Sequence, residues 1–166
     1  GHLGKEVVPV QVGKKFNYIH KDNGIRPGSK LEKLSKLRPA FDKKNGTLTA
    51  ANSSFLTDGA AVVLLMKESK AKELGLQPKA EIIEFCFTGQ ELKEELLLGP
   101  AFAMSKVLDK AKLQLSQMDV IEIHEAFAGQ VLANINCLES DDFAKRKLNK
   151  SEKTGIVDRE KLNCWG

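Results

Sequence analysis

His124 is the residue whose neighbours most strongly suggest chemistry. It follows the apolar run of residues 120–123 and precedes a helical pattern that starts near Glu125, so we expect it at the carboxyl end of a strand, where open α/β sheets bind their ligands. A helix N-terminus at this point would favour a neutral imidazole that can hydrogen-bond to an oxyanion or a water molecule. A structural, hydrogen-bonded histidine is the alternative, and from the residue types alone it is the more frequent case.

Other catalytic patterns are incomplete or missing. The helix expected after His124 lacks the second histidine of a zinc-protease motif, and the sequence contains no dinucleotide, phosphate-loop or serine-nucleophile pattern. The three cysteines, Cys86, Cys137 and Cys164, fit neither a disulfide framework nor a zinc site, and none has a sequence setting that would stabilise a thiolate. We therefore predict inert thiols, no metal site and a reducing compartment.

Residues 49–54, TAANSS, form a loop of small and hydroxyl-bearing side chains between two strand-like segments. Such side chains let a ligand approach the backbone closely and can hydrogen-bond to it. Loops of this composition are common, so the segment taken alone is a weak indication of a binding site.

The elements that would position these residues alternate between strand and helix. A capping box at Ser29 and a stop at Pro39 predict a helix over residues 30–38. Further strands are expected at 47–50, 60–66, 80–88 and 120–123, and further helices at 67–74, from Pro100 and from Glu125. The apolar run 60–66 has the pattern of a central strand buried on both faces, whereas residues 1–28 are expected to be irregular. This alternation predicts βαβ units in a layered α/β fold.

Composition and charge narrow the possible partners. The 166 residues are 42% hydrophobic and 29% charged, an ordinary globular composition. The longest uncharged apolar run is far shorter than the ~20 residues of a membrane-spanning helix, and we expect no secretory signal. The net charge of +4 comes partly from a basic cluster made of Lys145, Arg146, Lys147, Lys150 and Lys153.

We interpret the basic cluster first as solvated surface. The alternatives are a site for a phosphorylated ligand and a contact with an anionic membrane surface. No nucleic acid partner is expected, because the cluster lacks the aromatic residues on which single-stranded bases stack.

Three blocks of sequence, taken together, resemble the thiolase family. Residues 46–61, GTLTAANSSFLTDGAA, are similar to its GTVTAxNSS/A…DGA block, residues 98–100 to its Gly-Pro segment, and residues 124–127, HEAF, to its Asn-Glu-Ala-Phe block. The histidine in place of asparagine, together with residues 22–27 and 96–100, is most similar to the trifunctional enzyme β-subunit branch of the family. Blocks in this order are a far more specific signal than any one of them.

The resemblance implies an α/β fold, the layered thiolase-like fold of two βαβαβαββ halves with an inserted loop region, only partly present in these residues. Residues 1–45 would be the end of the inserted loop region, 46–78 the end of the N-terminal half, and 79–166 the start of the C-terminal half. A homo-oligomer is implied, and so is the trifunctional α subunit as a partner. A mitochondrial location, in the matrix or at the inner membrane, follows from the same branch.

The implied reaction is cleavage of a 3-ketoacyl-CoA by CoA, through an acyl-cysteine intermediate, to acetyl-CoA and a shortened acyl-CoA. By resemblance, His124 takes a catalytic position in an oxyanion hole, Ser54 matches the serine that touches the pantetheine of CoA, and Phe127 matches an aromatic residue lining that channel. CoA is a substrate, and neither a cofactor nor a metal is implied.

The family's nucleophilic cysteine, its Gly-His-Pro histidine and its second catalytic cysteine have no counterpart in these 166 residues. We therefore expect the residues by themselves to be inactive. A non-catalytic thiolase-like module that binds CoA esters or a partner subunit is the alternative function.

Overall fold

The computed structural model describes residues 2–165. Its helices are α1 Leu31–Leu34, α2 Glu68–Glu73, α3 Leu92–Glu95, α4 Gly99–Ala111, α5 Ala128–Leu138 and α6 Asp141–Phe143. Helix α6 runs into a π-helical turn, Ala144–Leu148, and 3₁₀ turns lie at His2–Lys5, Leu115–Gln117 and Arg159–Lys161. Strands β1 Val10–Val12 and β2 Asn17–Ile19 form an antiparallel hairpin. Within residues 2–165, no helix is long and apolar enough to cross a bilayer.

The hydrophobic core lies in the C-terminal part of the chain, where α4 packs against α5. The helices contribute Ala101, Leu108, Val131, Ile135 and Leu138, and the segments around them contribute Leu115, Ile121, Ile123 and Val157. Ala101 is fully buried, and its small side chain lets the two helices approach closely. This core supports the segment that precedes α5, because Ile121 and Ile123 belong to it.

A buried asparagine joins the two core helices. Asn134 of α5 is 0% exposed; its Oδ1 accepts from the Ala101 N–H at 2.8 Å, and its Nδ2 donates to the carbonyls of Leu97 and Gln130, each at 2.9 Å. The first N–H groups of a helix have no partner within the helix. Asn134 supplies an acceptor for the Ala101 N–H, which otherwise has only the Leu98 carbonyl at the edge of the helix, and so joins the start of α4 to α5.

The helices with strong local signals form as the sequence predicts. Helix α4 begins at Gly99 with Pro100 in its first turn and ends at Lys112 in the left-handed conformation. Helix α2 lies inside the predicted range 67–74, and Gly75 follows it with φ of 66°.

Two other helix predictions need correction. The helix predicted over residues 30–38 is only α1, and the capping box is wrong because the Ser29 hydroxyl donates to the Arg26 carbonyl at 3.0 Å instead of capping the helix. Helix α5 begins at Ala128, three residues after the predicted Glu125, because Phe127 has an extended backbone that pairs with Ser53.

Residues 1–28, here called the leader, are more ordered than predicted. The sequence predicts an irregular region, but the leader contains the β1–β2 hairpin. Val10 pairs with Ile19 and Val12 with Asn17. The Phe16 N–H donates to the Gly13 carbonyl at 3.1 Å across the connecting turn, and Gly13 has φ of 70°. Short β-forming segments on either side of a glycine turn explain the hairpin.

Four predicted strands do not form as ladders in the described residues. The segments 47–50, 60–66 and 80–88 contain no strand, and 120–123 retains a single parallel bridge between Ile121 and Leu162. The prediction that 60–66 is a doubly buried central strand is wrong for this chain, since Val62 is 95% exposed. A strand is stabilised by hydrogen-bonded neighbours and by packing on its faces, and the described residues supply neither to this segment.

Candidate functional site

The loop of residues 47–54 is held in shape by its own small polar side chains. The Asn52 Oδ1 accepts from the Thr49 N–H at 2.8 Å, and the Asn52 Nδ2 donates to the Thr47 carbonyl at 2.9 Å. The Ser53 hydroxyl donates to the Thr49 carbonyl at 2.7 Å. Asparagine and serine side chains commonly stabilise turns in this way, so several of the polar residues that suggested a ligand loop have a structural role.

This loop pairs with the segment that leads into α5. The Ser54 N–H donates to the Ala126 carbonyl at 2.9 Å, and the Ala128 N–H donates to the Asn52 carbonyl at 2.9 Å. Between these bonds, Ser53 and Phe127 form an antiparallel bridge. The fold therefore joins two blocks that are distant in sequence.

Two of the three predicted site residues line one groove as a result. Ser54 and His124 both border a depression of about 850 Å³, whose wall is completed by Val120, Glu122, Ile123, Glu125, Asn163 and Trp165. Both side chains are exposed. The Ser54 hydroxyl lies 3.5 Å from the Phe55 carbonyl, at the outer limit of a hydrogen bond, so it is available to a ligand in the groove.

Phe127 is brought beside this groove but is not among its lining residues. It is half-buried and its ring meets that of Phe41 edge-to-face, with the centroids 5.8 Å apart. Aromatic pairs prefer this arrangement. In this chain Phe127 therefore packs the loop end of α5 against the segment before Gly46.

The segment carrying His124 is held by the hydrophobic core and by the side chain of Asn163. Ile123 is buried in the core, and the Asn163 side chain binds its main chain, with Oδ1 accepting from the Ile123 N–H at 2.8 Å and Nδ2 donating to the Ile123 carbonyl at 2.9 Å. Sequence reasoning missed Asn163. A lone asparagine gives no sequence signal for such a contact beyond its tolerance of left-handed backbone.

The cysteines lack the setting of an activated nucleophile. Burial, reinforced by the negative charge of Glu95, raises the pKa of the Cys137 thiol, and a raised pKa leaves less thiolate to react. Cys86 is half-buried and donates to the Ala103 carbonyl at 3.3 Å, while Cys164 is exposed. Among residues 2–165, no group of three or more His, Cys, Asp or Glu side chains could hold a metal ion.

Much of the basic cluster is paired with carboxylates. Lys150 Nζ lies 2.7 Å from Asp109, Arg146 lies 3.2 Å from Asp142, and Lys147 pairs with Glu95. The hydrogen bond to Glu95 raises the pKa of Lys147. Charge already balanced by neighbouring carboxylates favours a solvated, internally paired surface over a concentrated anion site.

Comparison with known proteins places these features in a family. The family description "Thiolase, N-terminal domain" matches residues 1–69, and "Thiolase, C-terminal domain" matches residues 76–166. The chain is 54% identical over 162 residues to a probable 3-ketoacyl-CoA thiolase of Caenorhabditis elegans. This match covers 97% of this chain and 36% of that protein. The chain is 50% identical over 164 residues to the mitochondrial trifunctional enzyme subunit beta of Homo sapiens. This match covers 99% of this chain and 34% of that protein.

The fold agrees with the sequence comparison. The dimeric peroxisomal thiolase of Saccharomyces cerevisiae superposes on this chain with a TM-score of 0.80 and 36% identity, over 98% of this chain and 36% of that one. The superposition confirms the predicted thiolase-like α/β fold, and the chain spans about a third of the length of these relatives. Because the C-terminal domain description alone matches more than half of the residues, this chain belongs to the thiolase family.

Proposed function

We propose that these residues form part of the CoA-thioester site of a 3-ketoacyl-CoA thiolase, an acyltransferase that cleaves 3-ketoacyl-CoA with CoA in fatty-acid β-oxidation. The observation that carries the proposal is the groove that Ser54 and His124 share. The backbone bonds between residues 52–54 and 126–128 build it. A site that must hold both a thioester and the arm of CoA needs such polar groups on one exposed wall.

His124 acts in the chemical step and Ser54 in binding. The exposed imidazole donates a hydrogen bond to the thioester oxygen, where negative charge develops when a thiolate attacks the carbonyl. The Ser54 hydroxyl hydrogen-bonds to the pantetheine arm, and Phe127 supports the channel from behind. CoA enters as a substrate, and the proposed chemistry uses no separate cofactor or metal.

The attacking cysteine is not supplied by these residues. Cys137 is the cysteine whose pKa is raised, not lowered, so we propose that the 166 residues by themselves bind without cleaving. That behaviour is also what a non-catalytic thiolase-like module would show. The two readings differ once a chain of the relatives' full length is assayed.

The proposals on domain bounds, assembly and location rest on resemblance to the relatives. We propose residues 1–45 as the end of the inserted loop region, 46–78 as the end of the N-terminal half and 79–166 as the start of the C-terminal half. The yeast relative is described as dimeric, which supports a homo-oligomer. The human relative is a subunit beta of a mitochondrial enzyme, which supports an α-subunit partner and a mitochondrial location. Contact with an anionic membrane surface is a weaker proposal, because the basic cluster is largely paired.

The test is thiolysis by a protein of the relatives' full length that contains these residues. We expect CoA-dependent cleavage of acetoacetyl-CoA or a longer 3-ketoacyl-CoA, measured as acetyl-CoA formed. Ser54→Ala should raise KM for CoA with little change in kcat, because it removes binding and no chemistry. Ser29→Ala is the matched control, since that serine is exposed and does not line the groove. Absence of cleavage with retained CoA-ester binding would favour the non-catalytic module.

A further inference from the structure

Backbone pairing beside the candidate site ends at Ile121, three residues before His124. The Ile121 N–H donates to the Lys161 carbonyl at 2.8 Å, and the Asn163 N–H donates to the Ile121 carbonyl at 2.8 Å. This is the parallel bridge between Ile121 and Leu162. At Asn163 the backbone turns into the left-handed region, with φ of 48°, so the chain bends away from the alignment that would pair it with Ile123.

The Asn163 side chain takes the place of the missing backbone partner. A carboxamide carries the same donor and acceptor as a peptide group, and here its Oδ1 accepts from the Ile123 N–H while its Nδ2 donates to the Ile123 carbonyl. The same Nδ2 also donates to the Glu125 carboxylate. One side chain therefore holds the residues on both sides of His124.

This contact matters because the local chain offers His124 little other support. Helix α5 does not begin until Ala128, so helical geometry does not fix the His124 backbone. Ile123 is anchored in the core by its side chain, yet a single anchored side chain leaves rotation about the backbone open. Hydrogen bonds to both of its peptide groups remove that freedom.

We propose that Asn163 is a positioning residue, which fixes the main chain of Ile123 directly before His124 and holds the Glu125 carboxylate directly after it, and thereby aims the imidazole into the groove. The inference rests on the proposed function, since the imidazole needs aiming only if it acts on a bound thioester. Catalysis is sensitive to such placement, and an error of about 1 Å can cost about 10²-fold in rate. A supporting residue of this kind acts on the chemical step through its neighbour.

The decisive variant is Asn163→Gly in a protein of the relatives' full length. Glycine adopts positive φ readily, so this change keeps the backbone turn and removes only the carboxamide. The matched control is Asn149→Gly, because Asn149 is also left-handed, with φ of 56°, and is exposed at the end of the π-helical turn. We expect Asn163→Gly to lower kcat by about 10- to 100-fold with KM changed much less, and Asn149→Gly to leave both unchanged.

A double-mutant cycle separates positioning from general support of the fold. If Asn163 acts through His124, Asn163→Gly should cause little further loss of kcat in a His124→Ala background. Full additivity of the two losses would overturn the proposal.

Amide hydrogen exchange at Ile123 tests the contact without relying on activity. Exchange should be faster by about 10-fold in Asn163→Gly, because the lost hydrogen bond protected that N–H, and unchanged in Asn149→Gly. Unchanged exchange would overturn the contact between Asn163 and Ile123. A parent protein that does not cleave 3-ketoacyl-CoA would overturn the proposed function and, with it, the catalytic role of Asn163. The exchange result would still test the contact in that case.

Discussion

Replacing Asn134 by leucine tests how the two core helices are held together. The two side chains have similar volume, so Asn134→Leu removes hydrogen bonds without opening a large cavity. Three bonds are lost, to the Ala101 N–H and to the carbonyls of Leu97 and Gln130.

These three losses are unequal. The Ala101 N–H also donates to the Leu98 carbonyl at 3.0 Å, so it keeps one partner. The Gln130 carbonyl keeps its bond within α5, and Leu97 lies near the surface, where water can replace Nδ2. If water replaces the bond to Leu97, the bonds to Ala101 and Gln130 remain to be counted. At about 0.5–1.5 kcal/mol each, they give an expected destabilisation of about 1–3 kcal/mol.

Native-state hydrogen exchange in a protein of full length measures this effect locally, which avoids assuming two-state unfolding of a large chain. Exchange of α4 and α5 amides should accelerate by about 5- to 150-fold in Asn134→Leu, the factor that corresponds to this free energy. Asn136→Leu is the matched control, because Asn136 lies on the same helix and is exposed. If the two variants exchanged at the same rate, the account of Asn134 as the joint between the helices would be refuted.

Replacing Asn134 by aspartic acid adds a pH dependence with a definite sign. Burial next to the Leu97 and Gln130 carbonyls would raise the pKa of the introduced carboxyl above its unfolded value of about 3.9. The folded state then binds more protons than the unfolded one, so stability falls as pH rises from about 4 to the raised pKa. A variant as stable relative to the parent at pH 8 as at pH 4 would contradict this.

Further predictions concern the chemistry and the surface. In a protein of full length, His124→Ala should lower kcat by ~10²–10³-fold, the usual loss for one oxyanion-hole donor. His124→Asn should retain more activity than His124→Ala, because an amide can donate to the same oxygen. Unchanged kcat with a lowered Tm in His124→Ala would make His124 structural. The half-buried Cys137, with its raised pKa, should be alkylated more slowly at pH 8 than the exposed Cys164, as mass spectrometry of labelled peptides would detect; equal rates would contradict the assignment. Because Lys147 and Lys150 are already paired, binding to cardiolipin-containing vesicles should be weak at low salt and lost at moderate salt; tight, salt-resistant binding in a sedimentation assay would require another explanation.

Sequence and structure agree where the signal is local. Helix α4 could be predicted because Pro100 suits a first helical turn, and α2 because Gly75 suits the position after a helix. The family could also be recognised from sequence, since blocks such as residues 46–61 keep their order and spacing. These features depend on neighbouring residues, which the sequence displays directly.

The strands show what local pattern cannot decide. Residues 60–66 have the composition of a buried strand, but pairing and burial depend on partners far away in the chain, and the described residues do not provide them. Ser29 shows the same limit at a helix start, where its hydroxyl bonds backwards to Arg26. A side chain with several possible partners binds the one that the backbone brings nearest.

The sequence by itself determined which residue types are available to the site, including the histidine at position 124, the serine at position 54 and the absence of a cysteine with an activating neighbourhood. Only the tertiary structure decided that Ser54 and His124 share one groove, because backbone bonds between residues 52–54 and 126–128 bring the two blocks together. It alone also decided that Asn163 holds Ile123. Such contacts depend on where a distant segment passes in space, and the residue type of an asparagine does not encode its partner.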